Sequence, residues 1–140
     1  RRALSPEWSV AFRPHPSERA TVESRYARLN VTPGVRFDLV PDVFESLTSS
    51  RVVVGIASTV LYEALGMGCV VLVQRTLKTP MYIDESLFNG IVDSDDELIS
   101  TLSRIDELKL PSVDQRNLIG HVWAATNNAF LRRWLVKSGN

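Results

Sequence analysis

Cysteine is almost missing from this chain: one, Cys69, stands among 140 residues, and histidine appears only at His15 and His121. A lone cysteine excludes an internal disulfide, and its place in the apolar run Cys69–Gln74 points to a reducing, cytoplasmic setting. Two distant histidines cannot supply zinc-ligand spacing, so no metal is expected. There is no Gly-x-Gly-x-x-Gly and no phosphate-loop lysine motif. Ser58 lies in Gly-Ile-Ala-Ser-Thr rather than a Gly-x-Ser-x-Gly elbow, and no Asp and His pattern nearby makes it a nucleophile. Neither sign of charge prevails: 16 acidic and 16 basic residues cancel. No overall field therefore argues for nucleic acid or an anionic membrane. No apolar run approaches a membrane span and no signal peptide opens the chain. The first residues are Arg1-Arg2 with no initiator Met, so a piece of a longer protein is expected.

What is present suits one domain with a real core, since 44% of residues are hydrophobic. Arg51 to Gln74 organises it. Val52–Val54 and Val70–Val73 are continuous apolar runs, as in strands covered on both faces of a parallel sheet. Between them lies a helix from Thr59 to Met67, capped by Ser58, with Val60, Leu61, Ala64 and Leu65 as its buried stripe. Upstream, Trp8–Phe12 reads as a strand stopped by Arg13-Pro14-His15-Pro16, because proline lacks the ladder donor. Ser17 is expected to cap a helix from Glu18 to Leu29. Val35–Val40 alternates as a second strand, and Asp42 with Glu45 resembles a capping box before a short helix. Downstream, Gly90–Asp93 reads as a strand and Ser94 with Glu97 as a second box, opening a helix to about Ile105. Lys109–Ser112 is read as a linker, and a long final helix is expected from Asp114 to Lys137. Five strands alternating with five helices predict a three-layer α/β/α, Rossmann-like fold with a mostly parallel sheet.

Ligands bind such sheets at the carboxyl ends of their strands, where helix starts offer unpaired N–H groups. The groups expected there are Arg13 and His15, then Val40 and Asp42, then Ser58, Thr59 and Glu63, then Arg75. Hydroxyls and N–H groups at Ser58 and Thr59 suit a diphosphate, and Arg13, His15 or Arg75 would offset its charge. An ionised Glu63, acceptor only, suits both hydroxyls of a ribose. Backbone groups near Val40 could read a flat base. The plainer alternatives are a helix cap at Ser58, a solvated carboxylate at Glu63, an exposed turn histidine at His15, and structural roles for Arg13 and Arg75. His121 reads as a packing histidine, and Arg132, Arg133 and Lys137 with Trp134 as a favourable helix end or a lipid contact.

With these residues laid out, the segment from Arg13 to Pro80 resembles the nucleotide-binding half of GT-B-type glycosyltransferases and their relatives. Among those relatives are CDP-glycerol glycerophosphotransferases, capsule-polysaccharide transferases and non-hydrolysing UDP-N-acetylglucosamine epimerases. The matching pieces are Arg-Pro-His-Pro at 13–16, Val-Pro-Asp-Val-Phe-Glu-Ser-Leu at 40–47, and Val-Gly-Ile-Ala-Ser-Thr-Val-Leu-Tyr-Glu-Ala-Leu-Gly-Met-Gly at 54–68, followed by a valine-rich strand and Arg75. The resemblance implies that the Ser58-Thr59 turn binds the donor diphosphate, Glu63 the ribose, and the loop near Val40 the base. It makes His15 a candidate catalytic group. It implies a nucleotide-activated donor such as a UDP-sugar or CDP-glycerol, no further cofactor, and membrane contact at most peripheral at the inner face. Two departures accompany it. The amino-terminal acceptor domain of the relatives is missing, so these residues alone are expected to be inactive. Missing too is a strand and glycine-bearing loop before Trp8. Either the sheet closes with Trp8–Phe12 at its centre, or a neighbouring chain fills the gap. An epimerase, or a non-catalytic nucleotide-binding or interaction module, are the alternatives.

Overall fold

Short apolar runs set between turn residues become short strands. The protein is described by a computed structural model at residues 8–77, 79, 84–88 and 90–124, the last five by main chain alone. In chain order these form β1 (Val10–Phe12), a 3-10 turn (Pro16–Thr21), α1 (Val22–Arg25), α2 (Ala27–Asn30), β2 (Val35–Phe37), α3 (Val43–Thr48) and β3 (Val52–Gly55). There follow α4 (Val60–Gly66), β4 (Val70–Gln74), β5 (Gly90–Val92), α5 (Asp95–Ser103), a 3-10 turn (Ile105–Glu107) and α6 (Val113–Ala124). The chain is α/β, with every strand pairing among the described residues parallel.

The sheet is divided. β1 pairs with β2, Val10 opposite Val35 and Phe12 opposite Phe37. β4 separately pairs with β3 on one side and β5 on the other. The expected single sheet of five strands is thus two sheets, of two and three strands, and β1 does not close onto β3. Among the described residues, two side-chain contacts run between the halves: the Arg51 guanidinium lies 5.6 Å from the Trp8 ring, and Arg13 reaches Ser46 on α3.

Packing follows the three-stranded half. Leu47 of α3, Leu61, Ala64 and Leu65 of α4, Val71 and Val73 of β4, Phe88, and Ile119 of α6 form one buried cluster around Cys69. Each such aliphatic side chain contributes about 1.5–3 kcal/mol on full burial. The α4 stripe expected from periodicity is buried at Leu61, Ala64 and Leu65, with Val60 half-buried. Val70 and Leu72 are buried as well, so β4 is covered on both faces, as its unbroken apolar run implies. In the two-stranded half Val22 is the fully buried apolar side chain; Phe12 meets Tyr26 at 4.6 Å and Phe37 at 6.1 Å, centroid to centroid.

Several boundaries differ from those expected. The helix anticipated over Glu18–Leu29 is a 3-10 turn and two short helices, broken at Tyr26 (φ −116°, ψ 40°). There the Tyr26 ring packs on Phe12 and its hydroxyl donates to Glu18 at 3.1 Å, interactions that compete with helical geometry. His15, not Ser17, caps this segment. β2 stops at Phe37 because Asp38 turns inward to bind Arg13. Asp42 caps α3 through the Phe44 N–H rather than through a box with Glu45. Ser94 accepts from the Glu97 N–H at 3.1 Å, but Glu97 reaches back to the Asp93 N–H at 2.7 Å, one residue earlier than expected. The final helix starts at Val113, one residue ahead of the expected Asp114, and is described to Ala124; the expected continuation to Lys137 falls outside the described residues. It opens on a reciprocal Ser112–Gln115 box, inside what was read as linker. The expectations for the His121 side chain and for Arg132, Arg133, Trp134 and Lys137 fall outside the described residues.

Candidate functional site

The carboxyl end of β3 delivers the chain into the exposed loop Ile56–Thr59 and then into α4. The Ser58 hydroxyl accepts from the Val60 N–H at 3.3 Å, and the Ser58 carbonyl accepts from the Leu61 N–H at 3.1 Å. Ser58 therefore does cap α4. Thr59 holds helical dihedrals, makes no side-chain capping bond, and is exposed. One turn on, Glu63 is half-buried. Its Oε2 is buried with no hydrogen-bond partner, and burial raises the carboxyl above its ordinary pKa. An acceptor held out of water with nothing to accept is costly, about 1–3 kcal/mol.

The groups after β1 and β2 are bound to one another. Arg13 donates to Asp38 Oδ2 and to Ser46 Oγ, each at 3.0 Å, and to the Pro41 carbonyl at 3.4 Å. Asp38, 5% exposed, also accepts from the Val40 N–H at 3.2 Å. Burial alone would raise the Asp38 carboxyl, but the Ser46 hydroxyl, Arg13 and the Val40 N–H together hold it below its ordinary value. The Val40 carbonyl accepts from Arg19 at 3.3 Å, so both main-chain groups of Val40 are engaged. Leu39 beside it presents an apolar side chain, 45% exposed. His15 is exposed and uses Nδ1 to accept from the Ser17 N–H at 3.3 Å, which places a neutral ring's proton on Nε2. Asp42 is spent on the α3 cap.

Arg75, at the end of β4, forms a third group. It makes a bidentate bond to Glu85, Nε to Oε1 at 2.9 Å and Nη2 to Oε2 at 2.7 Å, and a 2.7 Å bond from Nη1 to Asp93. Bonding to Glu85 and Asp93 raises the guanidinium and lowers the Glu85 carboxyl.

The anticipated residues thus fall into three clusters: Ser58, Thr59 and Glu63; Arg13, Val40, Asp42 and His15 around the β1 and β2 ends; and Arg75 with its acids. Among the described residues no hydrogen bond or ion pair joins one cluster to another. Sequence reasoning overlooked Asp38, Arg19, Ser46 and Glu85. Alternation sets Asp38 on the parity of Arg36, an exposed position, which concealed it; a signal lay in Arg13, a strand-end cation needing an anion from the neighbouring strand. The Tyr62 hydroxyl accepts from the Asp84 N–H at 2.8 Å, and its ring meets Phe88 edge-on at 5.2 Å. No group of three or more His, Cys, Asp or Glu among the described residues could hold a metal, and no described helix is long and apolar enough to cross a membrane. Comparison with protein-family models, curated proteins and solved structures gives no match to this chain.

Proposed function

We propose that this chain is the donor-nucleotide half of a GT-B-type glycosyltransferase, acting in surface-polysaccharide synthesis, and that its two sheets belong to one three-layer Rossmann-like layer. The observation that carries the reading is Glu63. A buried carboxylate oxygen without a partner sits one helical turn past two exposed hydroxyl residues at the carboxyl end of a parallel strand. Those hydroxyls and the adjoining N–H groups would hold the diphosphate and stabilise its charge as it departs, with no metal needed. Glu63 would accept both ribose hydroxyls, as an ionised carboxylate can. The base would lie against Leu39 rather than bond to Val40, whose polar groups are engaged. The donor is a UDP-sugar, CDP-glycerol or similar compound, and a second domain supplies the other wall of the cleft and the acceptor.

A second reading, a nucleotide-binding module without catalysis, is favoured by one feature: Arg13 and Arg75 are both held in ion pairs. They act as scaffold, and charge offset at the diphosphate would fall to His15. Titration with UDP, CDP, CMP and GDP, followed at the amides of Ser58 to Glu63, tests donor binding. Shifts saturating at about 1 mM or below are expected for at least one nucleoside diphosphate, and none in that range overturns both readings. Glu63→Ala should weaken a nucleoside diphosphate about tenfold or more while changing pyrophosphate little. Equal losses would remove the ribose role.

A further inference from the structure

The segment that joins α5 to α6 passes the amino ends of β4 and β5, the end of the sheet opposite Ser58 and Arg75. Between that segment and the strands lies a cavity of about 280 Å³. Its walls are apolar: Leu65 of α4, Val70 and Leu72 of β4, and Pro111 line it and are all buried. Gly90 forms one side and has to be small, because a Cβ there would meet the Leu72 side chain and, at 3.0 Å, the Val71 carbonyl.

The mouth is charged. Glu107 and Lys109 both line the cavity and both are exposed. They flank Leu108, whose backbone is extended (φ −67°, ψ 126°). Residues on either side of an extended one share a face, so a carboxylate and an ammonium stand over one opening. Among the described residues neither side chain makes a hydrogen bond or an ion pair. The other charges nearby are placed elsewhere: Asp106 is held by Arg51 at 3.2 Å, and the Arg116 guanidinium lies against Gly68 without lining the cavity.

Packed interiors leave few voids larger than a water molecule, so a cavity of this size is a feature to explain. Sites for drug-sized ligands measure about 300–1,000 Å³, which makes this one fit for something smaller. Apolar walls select an apolar body. An unpaired carboxylate and an unpaired ammonium at the mouth select one charge of each sign. We propose that this cavity binds a small zwitterion with an apolar side chain, an amino acid of about the size of leucine. Its side chain lies against Leu65, Val70 and Leu72, its ammonium meets Glu107, and its carboxylate meets Lys109. The site does not depend on the donor-site reading and stands or falls separately.

Titration with L-leucine, followed by amide shifts, tests it. Shifts at Val71, Leu72, Gly90 and Leu108 should saturate with a Kd of about 1 mM or below, while Ser58 and Thr59 stay unmoved. L-serine, which lacks the apolar body, should bind about tenfold or more weakly. Lys109→Gln should weaken leucine about threefold and leave isoamylamine, which is leucine without its carboxylate, unchanged. Glu107→Gln should weaken leucine to a similar degree and leave isocaproate, which is leucine without its ammonium, unchanged. Both side chains are exposed, so neither substitution disturbs the core. No saturation by leucine up to about 10 mM would overturn the proposal. So would serine binding as tightly as leucine, a leucine affinity that either substitution leaves untouched, or shifts confined to Ser58 through Glu63.

Discussion

At Glu63 stability and the proposed ribose role pull in opposite directions. Its carboxyl is raised by burial, and Oε2 has no partner, so the folded chain holds the proton more tightly than the unfolded chain does. For an acid shifted this way, no penalty exists below the ordinary glutamate range near pH 4.3. The penalty grows as pH rises through the raised value and then stays constant. Glu63→Gln, which removes the charge and keeps the shape, should therefore stabilise the protein at pH 7. A gain of about 1 kcal/mol is expected, a few degrees in Tm for a chain of this size, narrowing as pH falls towards 4. Thermal melts of both proteins from pH 4 to 8 check this; a Tm difference independent of pH would show that the buried charge is not its source. On the proposed ribose role, the same substitution should weaken nucleotide binding, a trade of stability against binding. Asp38 is the contrast. It too is buried, but Ser46, Arg13 and the Val40 N–H satisfy it and hold its carboxyl below the ordinary value, so it stabilises where Glu63 costs.

Elements here depend on their ends. α6 joins the core through Ile119, 2% exposed, and starts on the reciprocal box in which Ser112 accepts from the Gln115 N–H at 3.1 Å and Gln115 from the Ser112 N–H at 3.0 Å. Ser112→Ala should cost about 1 kcal/mol, the usual loss for a cap, and lower Tm by a few degrees. Ser112→Asp should recover most of it, and a Tm unmoved by the alanine change would show that packing at Ile119 holds the helix start unaided. This helix also indicates how much could be read from the residues. The α4 stripe and β4 were legible because continuous or periodic apolar patterns encode burial directly. The start of α6 was not, because Pro111-Ser112 reads as a turn until the Ser-x-x-Gln spacing is noticed. The break at Tyr26 was hidden because a tertiary contact, the ring on Phe12, sets it. At the candidate site the Ser58 cap was legible as a local signal. The commitment of Arg13 and Arg75 was not, since their partners Asp38, Glu85 and Asp93 lie 25, 10 and 18 positions away.

Across the described residues, burial is uneven, and cooperativity should follow it. The cluster from Leu47 to Ile119 encloses β4 with α3, α4 and α6, whereas β1 and β2 rest chiefly on Val22, Phe12 and Tyr26. Arg13 ties the smaller half to α3, and the Arg51–Trp8 contact adds a stacking interaction of about 0.5–1 kcal/mol at an exposed position. A two-stranded ribbon is marginal by itself. The smaller half should therefore open by a local route while the three-stranded half stays folded. Native-state exchange at increasing denaturant should show the Val71–Val73 amides following global unfolding. Those of Val10, Phe12 and Asp38 should exchange through an opening about 2 kcal/mol or more below it, with a smaller denaturant dependence. One shared isotherm for both groups would mean that the halves fold as a single unit, with Arg13 and α3 coupling them more tightly than their buried area implies.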